Sequence, residues 1–221
     1  IDQQDPNSQL NWGRVRETRL KLPGSSGSKK SWRLDGGVTL GQLKGERVAS
    51  NNKRELYVWF NRPILAERFD LRLGPVFFYQ GFDDNLSGFS VGHGGYFSPS
   101  SLIRLGGLID FRKEVASDYF VAAKAGLGWQ ASQQDCLSGL SLASGCYKEG
   151  TSDSGLATEL QLGFVKAFGQ QRNWLFLGIN TQTSPQYNDL SFQLSWTHAF
   201  GGSTEGRVYS FGLPDFVLIK H

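Results

Sequence analysis

The sequence predicts an all-β protein, an antiparallel transmembrane β-barrel, and three observations carry that prediction. First, nine segments alternate apolar and polar residues with a period of two. In residues 32–40 the even positions read Trp, Leu, Gly, Val, Leu and the odd positions Arg, Asp, Gly, Thr. The rhythm returns in residues 69–73, 160–164 and 190–196. A strand turns successive side chains to opposite faces, so each segment has one oily and one wet face. Second, no uncharged apolar stretch is long enough for a transmembrane helix, and helical periodicity is weak throughout. Third, the connections differ in length, and counted back from the C-terminus short and long ones mostly alternate, as periplasmic turns and outside loops do. A soluble sandwich shares the first two features. It differs only in which face points outward.

Size and composition set the bounds. The 221 residues suffice for one large all-β domain. Net charge is +3, too small to imply a nucleic-acid partner. Mean hydropathy is −0.33, which does not exclude a barrel because lumen and loops dilute the apolar band. The chain has no Met, so residue 1 is not an initiator, and a processed chain or a fragment is expected.

The strands are expected at 10–22, 32–43, 54–62, 68–82, 101–113, 118–131, 155–168, 173–184 and 190–200. Residues 62–67, 113–117 and 169–172 make short connections. Residues 44–53, 83–100 and 132–154 make long, polar or Gly-rich ones. The 23–31 connection falls on the periplasmic side yet is long, and 184–189 falls outside yet is short. The last strand puts Leu194, Trp196, His198 and Phe200 on one face, an aromatic finish suited to an interface girdle. Residues 1–200 form the barrel portion and 201–221 a tail, which is an extension, a plug or a further strand.

Strand parity bears on completeness. If strand 190–200 ends in the periplasm, counting back starts strand 10–22 outside. Single-chain bacterial barrels close with an even number of strands. Either a tenth strand exists, or residues 1–9 return through the lumen, or an N-terminal part of a larger barrel is absent.

If the apolar face meets lipid, the lumen receives Arg33, Asp35, Tyr57, Trp59, Asp70, Arg72, Gln80, Arg104, Asp110, Lys124, Gln130, Glu159, Gln161, Trp174, Asn180, Gln182, Gln193, Ser195 and Thr197. Leu34, Val38, Leu71, Ile103, Leu105, Val121, Leu160, Leu162, Leu175, Leu177 and Leu194 then face outward. Mixed acids and bases on neighbouring strands can pair across the wall. They either brace the barrel or line a substrate path. Trp59 and Trp174 offer flat rings suited to stacking on a flat apolar ligand face or to simple packing.

Two cysteines, Cys136 and Cys146, lie ten residues apart in a Gly/Ser-rich loop with no His nearby. That spacing suits a local disulfide in an oxidising space better than a metal site. His93, His198 and His221 are scattered, and no P-loop, dinucleotide fingerprint or zinc spacing occurs. A lipid-modifying barrel enzyme needs adjacent Ser and His on the lipid face, and no convincing pair exists. No enzyme activity and no cofactor are expected.

Residues 92–99 read Gly-His-Gly-Gly-Tyr-Phe-Ser-Pro, preceded by Gly81, Asp84 and Asn85 between two strands. From about residue 54 to 200 the chain resembles the C-terminal barrel of the cellulose export porin family, the outer-membrane component of bacterial cellulose synthase, and this stretch is the most specific match. Weaker matches are Trp12-Gly13, residues 41–52 and the Ser184-Pro185-x-Tyr187 segment. The family carries periplasmic helical repeats and several more barrel strands that this chain lacks. The Cys136–Cys146 loop is not part of the resemblance. The resemblance implies a passive channel in the bacterial outer membrane, through which a β-glucan leaves the cell. It implies coupling to an inner-membrane synthase complex through the periplasmic repeats. It makes Asp84, Asn85, Gly92, His93, Gly94, Gly95, Tyr96 and Phe97 a pore-mouth loop. A generic diffusion porin or structural barrel is the alternative.

Overall fold

The computed structural model describes residues 15–27, 31–45, 48–66, 69–87, 96–116, 118–138, 146–168, 173–185, 188–198, 209–210 and 217–218. Among them there is no helix. The strands are β1 (Val15–Gly27), β2 (Arg33–Gly45), β3 (Val48–Ala66), β4 (Phe69–Phe82), β5 (Ser101–Ala116), β6 (Tyr119–Gln134), β7 (Leu137–Ser138), β8 (Cys146–Lys148), β9 (Thr151–Phe168), β10 (Asn173–Thr183), β11 (Asn188–His198), β12 (Tyr209–Ser210) and β13 (Val217–Leu218). Nine of them form one antiparallel sheet in the order β1-β2-β3-β4-β5-β6-β9-β10-β11. The short β7–β8 and β12–β13 pairs stand apart from it.

All nine expected strands are present. Their ends differ from expectation. The expected long connection 44–53 shrinks to residues 46–47, because β2 and β3 stay paired as far as Gly45↔Val48. The expected 23–31 connection shrinks likewise, because Pro23 to Gly27 continue to pair with β2. The period-two signal stops where both faces are wet. The ladder does not stop there, because each backbone N–H and C=O still needs a partner.

Register fixes the faces. On β9 the burial alternates without a break from Gly155 to Phe168. Leu156, Leu160, Leu162 and Phe164 are exposed, while Ala157, Gln161, Val165 and Ala167 are buried. Of the residues expected to face outward, nine are exposed, with Leu105, Leu177 and Leu194 at 62 %, 56 % and 71 %, while Leu71 and Val121 are half-buried. The sheet is rolled so that Ser25 on β1 and Gln182 on β10 line one cavity. No register joins β1 to β11 among the described residues, so the wall is open between its edges.

Two glycine sites show why side chains are missing there. A Cβ on Gly74 would run into the Phe60 carbonyl oxygen, beside Pro75, which has no N–H to give the ladder. Gly106 and Gly128 oppose each other across β5 and β6, and a Cβ on Gly106 would sit 2.6 Å from the Gly128 Cα. At both places backbone approaches backbone too closely for any side chain.

Aromatic side chains gather on the outer face. Trp32 stacks on Phe60 at 4.7 Å and 9°, and both are 44 % exposed. Phe69 meets Phe111 and Tyr119 meets Phe164 near the same sheet end. The expected final aromatic, Phe200, and the side chain of His198 lie outside the described residues, as do Trp12, Gly13 and residues 1–9.

Candidate functional site

The inner face carries charged residues in linked sets, and register explains each link. Arg72 and Asp110 are direct partners across β4 and β5, and their side chains meet at 2.8 Å. Asp110 also accepts from Arg112 at 2.6 Å, and Arg72 reaches Asp35 at 3.6 Å. Asp35 accepts further from Arg33, Ser25 and Asn61. The chain of contacts thus runs from β1 to β5. A second set joins Arg104, which donates twice to Gln130 and also to Glu159. Glu159 lies 3.5 Å from Lys124 and accepts from Gln161 at 3.0 Å. A third set places Lys53 2.8 Å from Glu55, which also accepts from Gln80.

Burial decides what these pairs are worth. Exposed ion pairs contribute about 0–1 kcal/mol. The Arg72 and Asp110 side chains are only 13 % and 7 % exposed. Removing one member of such a pair strands its partner's charge in poor solvent. The mixed charges therefore hold the strands in register as a ladder.

A cavity of about 710 Å³ lies against this face. Of the residues expected along a path, Tyr57, Trp59, Arg72, Arg104, Asp110, Glu159 and Gln161 line it. Asp70, Asn180 and Gln193 share the inward parity but lie away from its lining. The Trp174 side chain lies outside the described residues. Lys53 and Glu55 also line the cavity; Lys53 lies just before the expected strand 54–62, and Glu55 lies inside it at the inward parity of Tyr57 and Trp59. The odd-position parity of Tyr57 and Trp59, carried back two steps, is the signal that finds them.

Trp59 corrects one expectation. It faces inward but is only 4 % exposed. The Arg72 guanidinium covers its ring at 5.1 Å, and its indole N–H donates to the Gly74 carbonyl. The ring is committed to the wall and offers no open face for a sugar. Sequence cannot show this, because Arg72 sits thirteen residues away on the next strand.

The loop after β4 is built on Asn51, which the alternation leaves inside an expected loop. The Asn51 amide donates to the Asp84 carbonyl at 2.7 Å and accepts from the Asp84 N–H at 3.0 Å. It also donates to the Tyr96 hydroxyl at 3.2 Å. Burial raises the Tyr96 pKa, and the hydrogen bond from Asn51 opposes that shift. Asn52 and Arg54 both bond to Asp83. Asn85 donates to the Asp135 carbonyl, and Ser100 donates to the Asp135 carboxylate at 2.9 Å. Ser98 is fully buried and accepts from the Leu86 N–H. The loop bases, Asp84 to Leu86 and Tyr96 to Ser98, are thus folded onto inward-facing strand ends. Gly92, His93, Gly94 and Gly95 lie outside the described residues. Cys136, next to Asp135, is disulfide-bonded. The side chain of Cys146 lies outside the described residues, although its backbone pairs with Ser138.

Among the described residues no group of His, Cys, Asp and Glu could hold a metal ion. Comparison with known proteins gives two matches. Residues 2–201 match the family described as Cellulose synthase operon protein C C-terminus. The chain is also similar to cellulose synthase operon protein C of Xanthomonas axonopodis pv. citri (strain 306), at 38 % identity over 106 residues. That stretch is 47 % of this chain and 7 % of the relative, so the chain spans a small part of the relative's length.

Proposed function

From the premise that the chain belongs to the cellulose synthase operon protein C C-terminal family, we propose that it forms part of an outer-membrane channel wall for export of a β-glucan. The family gives a role in cellulose synthesis or export. The channel, its place in the bacterial outer membrane and its cargo are our reading. One observation carries it: the outer face bears large exposed apolar side chains, while the inner face bears paired polar ones around a cavity. Lipid solvates the first arrangement, and a hydrated neutral polymer suits the second.

In this reading outer-membrane lipid surrounds the sheet. The loop Asp84 to Phe97 shapes the mouth, and Cys136 pairs with Cys146 in an oxidising exterior. An inner-membrane synthase complex feeds the channel through a periplasmic repeat region. The chain performs no catalysis and takes no cofactor. It guides a chain made elsewhere.

The native polypeptide reconstituted in planar bilayers tests this. Cello-oligosaccharides added to one side are expected to interrupt the current, with interruptions that lengthen as the oligosaccharide grows. A current indifferent to them at every length would replace this reading with a generic porin.

A further inference from the structure

Three strands repeat one short pattern on the outer face, near the end of the sheet where the connections are short. On β3, Phe60 is followed at the next outward position by Arg62. On β5, Phe111 is followed by Lys113, and on β9 Phe164 by Lys166. Each of these strands runs toward a short turn, so each cation lies nearer the turn than its phenylalanine. Each phenylalanine also meets a second ring from the adjacent segment: Phe60 stacks on Trp32, Phe111 meets Phe69, and Phe164 meets Tyr119. Arg62, Lys113 and Lys166 are all exposed. Lys166 Nζ stands 5.1 Å from the centre of the Tyr119 ring.

Register sets the three cations in a row. Arg62 pairs with Leu73, and Leu73 with Ile109, four residues short of Lys113. Lys113 pairs with Val121, and Val121 with Phe164, two residues short of Lys166. The row therefore climbs along the strands from β3 to β9. The short turns climb in the same sense. Phe69, just after the β3–β4 turn, pairs with Lys113, three residues short of the end of β5. Tyr119, just after the β5–β6 turn, pairs with Lys166, two residues short of the end of β9. Tilted strands need such a climb for side chains to stand at one height on a barrel wall. The cations thus follow the line of the turns on every second strand, roughly 10 Å apart across the sheet.

Among the described residues no acid shares the outer face beside this row. Glu114 has inward parity, and Asp118 stands in the β5–β6 turn. The opposite end of the outer face differs. Arg54 is held there by Asp83, Lys44 is the other described cation, and exposed outward positions include Ser50, Asn52, Ser152 and Ser154. A long cationic side chain at the edge of an apolar band lays its methylenes along that band and holds its charge beyond it. A row of such charges with no acid among them attracts negative charge spread along the wall. The aromatic pairs behind the row add an apolar surface. The ligand that satisfies both is an anion attached to a hydrocarbon chain.

We propose that Arg62, Lys113 and Lys166 bind the headgroups of anionic phospholipids in the leaflet that meets the short turns, with the acyl chains lying against the aromatic pairs. This rests on the channel reading above, because it needs the outer face to stand in lipid. The row fixes the depth of the protein in the bilayer. It also makes the lipid around the short turns different in charge from the lipid around the long loops.

The test places the native polypeptide in dioleoylphosphatidylcholine vesicles with a trace of spin-labelled phosphatidylglycerol or spin-labelled phosphatidylcholine. Electron paramagnetic resonance reads the motionally restricted fraction of each lipid. Phosphatidylglycerol is expected to be restricted about fivefold more strongly, and added salt should weaken that preference. In the triple variant Arg62→Gln, Lys113→Gln, Lys166→Gln the two lipids are expected to be restricted nearly equally. Lys44→Gln, at the opposite end, is expected to keep most of the preference. Lys166→Gln alone gives a smaller loss in the same direction and serves if the triple variant fails to show the heat-dependent gel mobility of a folded barrel. Inorganic phosphate is expected to compete no better than chloride at equal ionic strength, and a stronger effect of phosphate would overturn the lipid assignment in favour of free anions. A parent with no preference, or a folded triple variant that keeps all of it, would overturn the row and leave the channel standing. A parent around which neither lipid is restricted would overturn the outer-membrane reading itself.

Discussion

The outer and inner faces of this sheet solve opposite problems with the same backbone. On the outer face Leu190, Phe192 and Leu194 are 60 %, 74 % and 71 % exposed, and their neighbours in sequence do not shield them. On the inner face the polar groups come as sets, so that Asp110 touches both Arg72 and Arg112. Apolar groups need only a matching solvent, whereas charged groups need specific partners. A substitution outside should therefore act through solvent and depend on depth. One inside should act through the partner it strands.

The largest effect should come from breaking an inner set. Asp110→Ala removes the buried carboxylate that Arg72 and Arg112 share and should cost about 3–5 kcal/mol of stability in denaturant titration. A cost under about 1 kcal/mol would mean that the pair behaves as exposed. Next comes the outer face, where Leu105→Arg should cost about 2–4 kcal/mol if residue 105 lies near the bilayer midplane. Spin labels sharpen the same contrast: sites 105 and 177 should report lipid, and sites 110 and 161 water. The reverse pattern would make the sheet a soluble one.

Smaller again is Asn51→Ala, which removes three hydrogen bonds from the base of the loop after β4. It should cost about 1–3 kcal/mol and speed proteolysis of the loop before the sheet unfolds. Reduction of the Cys136 disulfide should be the smallest effect, because that loop lies outside the nine-stranded sheet. Thiol titration of the unfolded, unreduced chain should find no free thiol, and two free thiols would remove the pairing.

The contrast between faces also explains what the sequence disclosed. Alternation marks where one face is oily and the other wet, so all nine strands and both faces were legible from residues such as Leu160, Gln161 and Leu162. It fades where both faces are wet, so the ends of β1, β2 and β3 were not. Asn51 and Lys53 were lost for that reason, whereas Glu55, inside the expected strand 54–62, was legible from the parity of Tyr57 and Trp59. Partners were illegible for another reason. Which carboxylate Arg72 meets depends on register with β2 and β5, and one strand's pattern carries no register with its neighbours. The commitment of Trp59 to Arg72 was hidden in the same way.

The long β2–β3 pair has a consequence for where a polymer would leave the protein. The last large apolar residues on its outer side are Leu40 and Leu56. From Arg54 back to Val48 the ladder continues with Ser50, Asn52 and Arg54 exposed. Six residues of strand rise about 20 Å along the strand axis. In the proposed channel the wall would thus stand above the oily belt like a chimney above a roof. A stiff polysaccharide emerging there would clear the lipid headgroups before meeting open water, and would meet its neighbours above the membrane surface instead of on it.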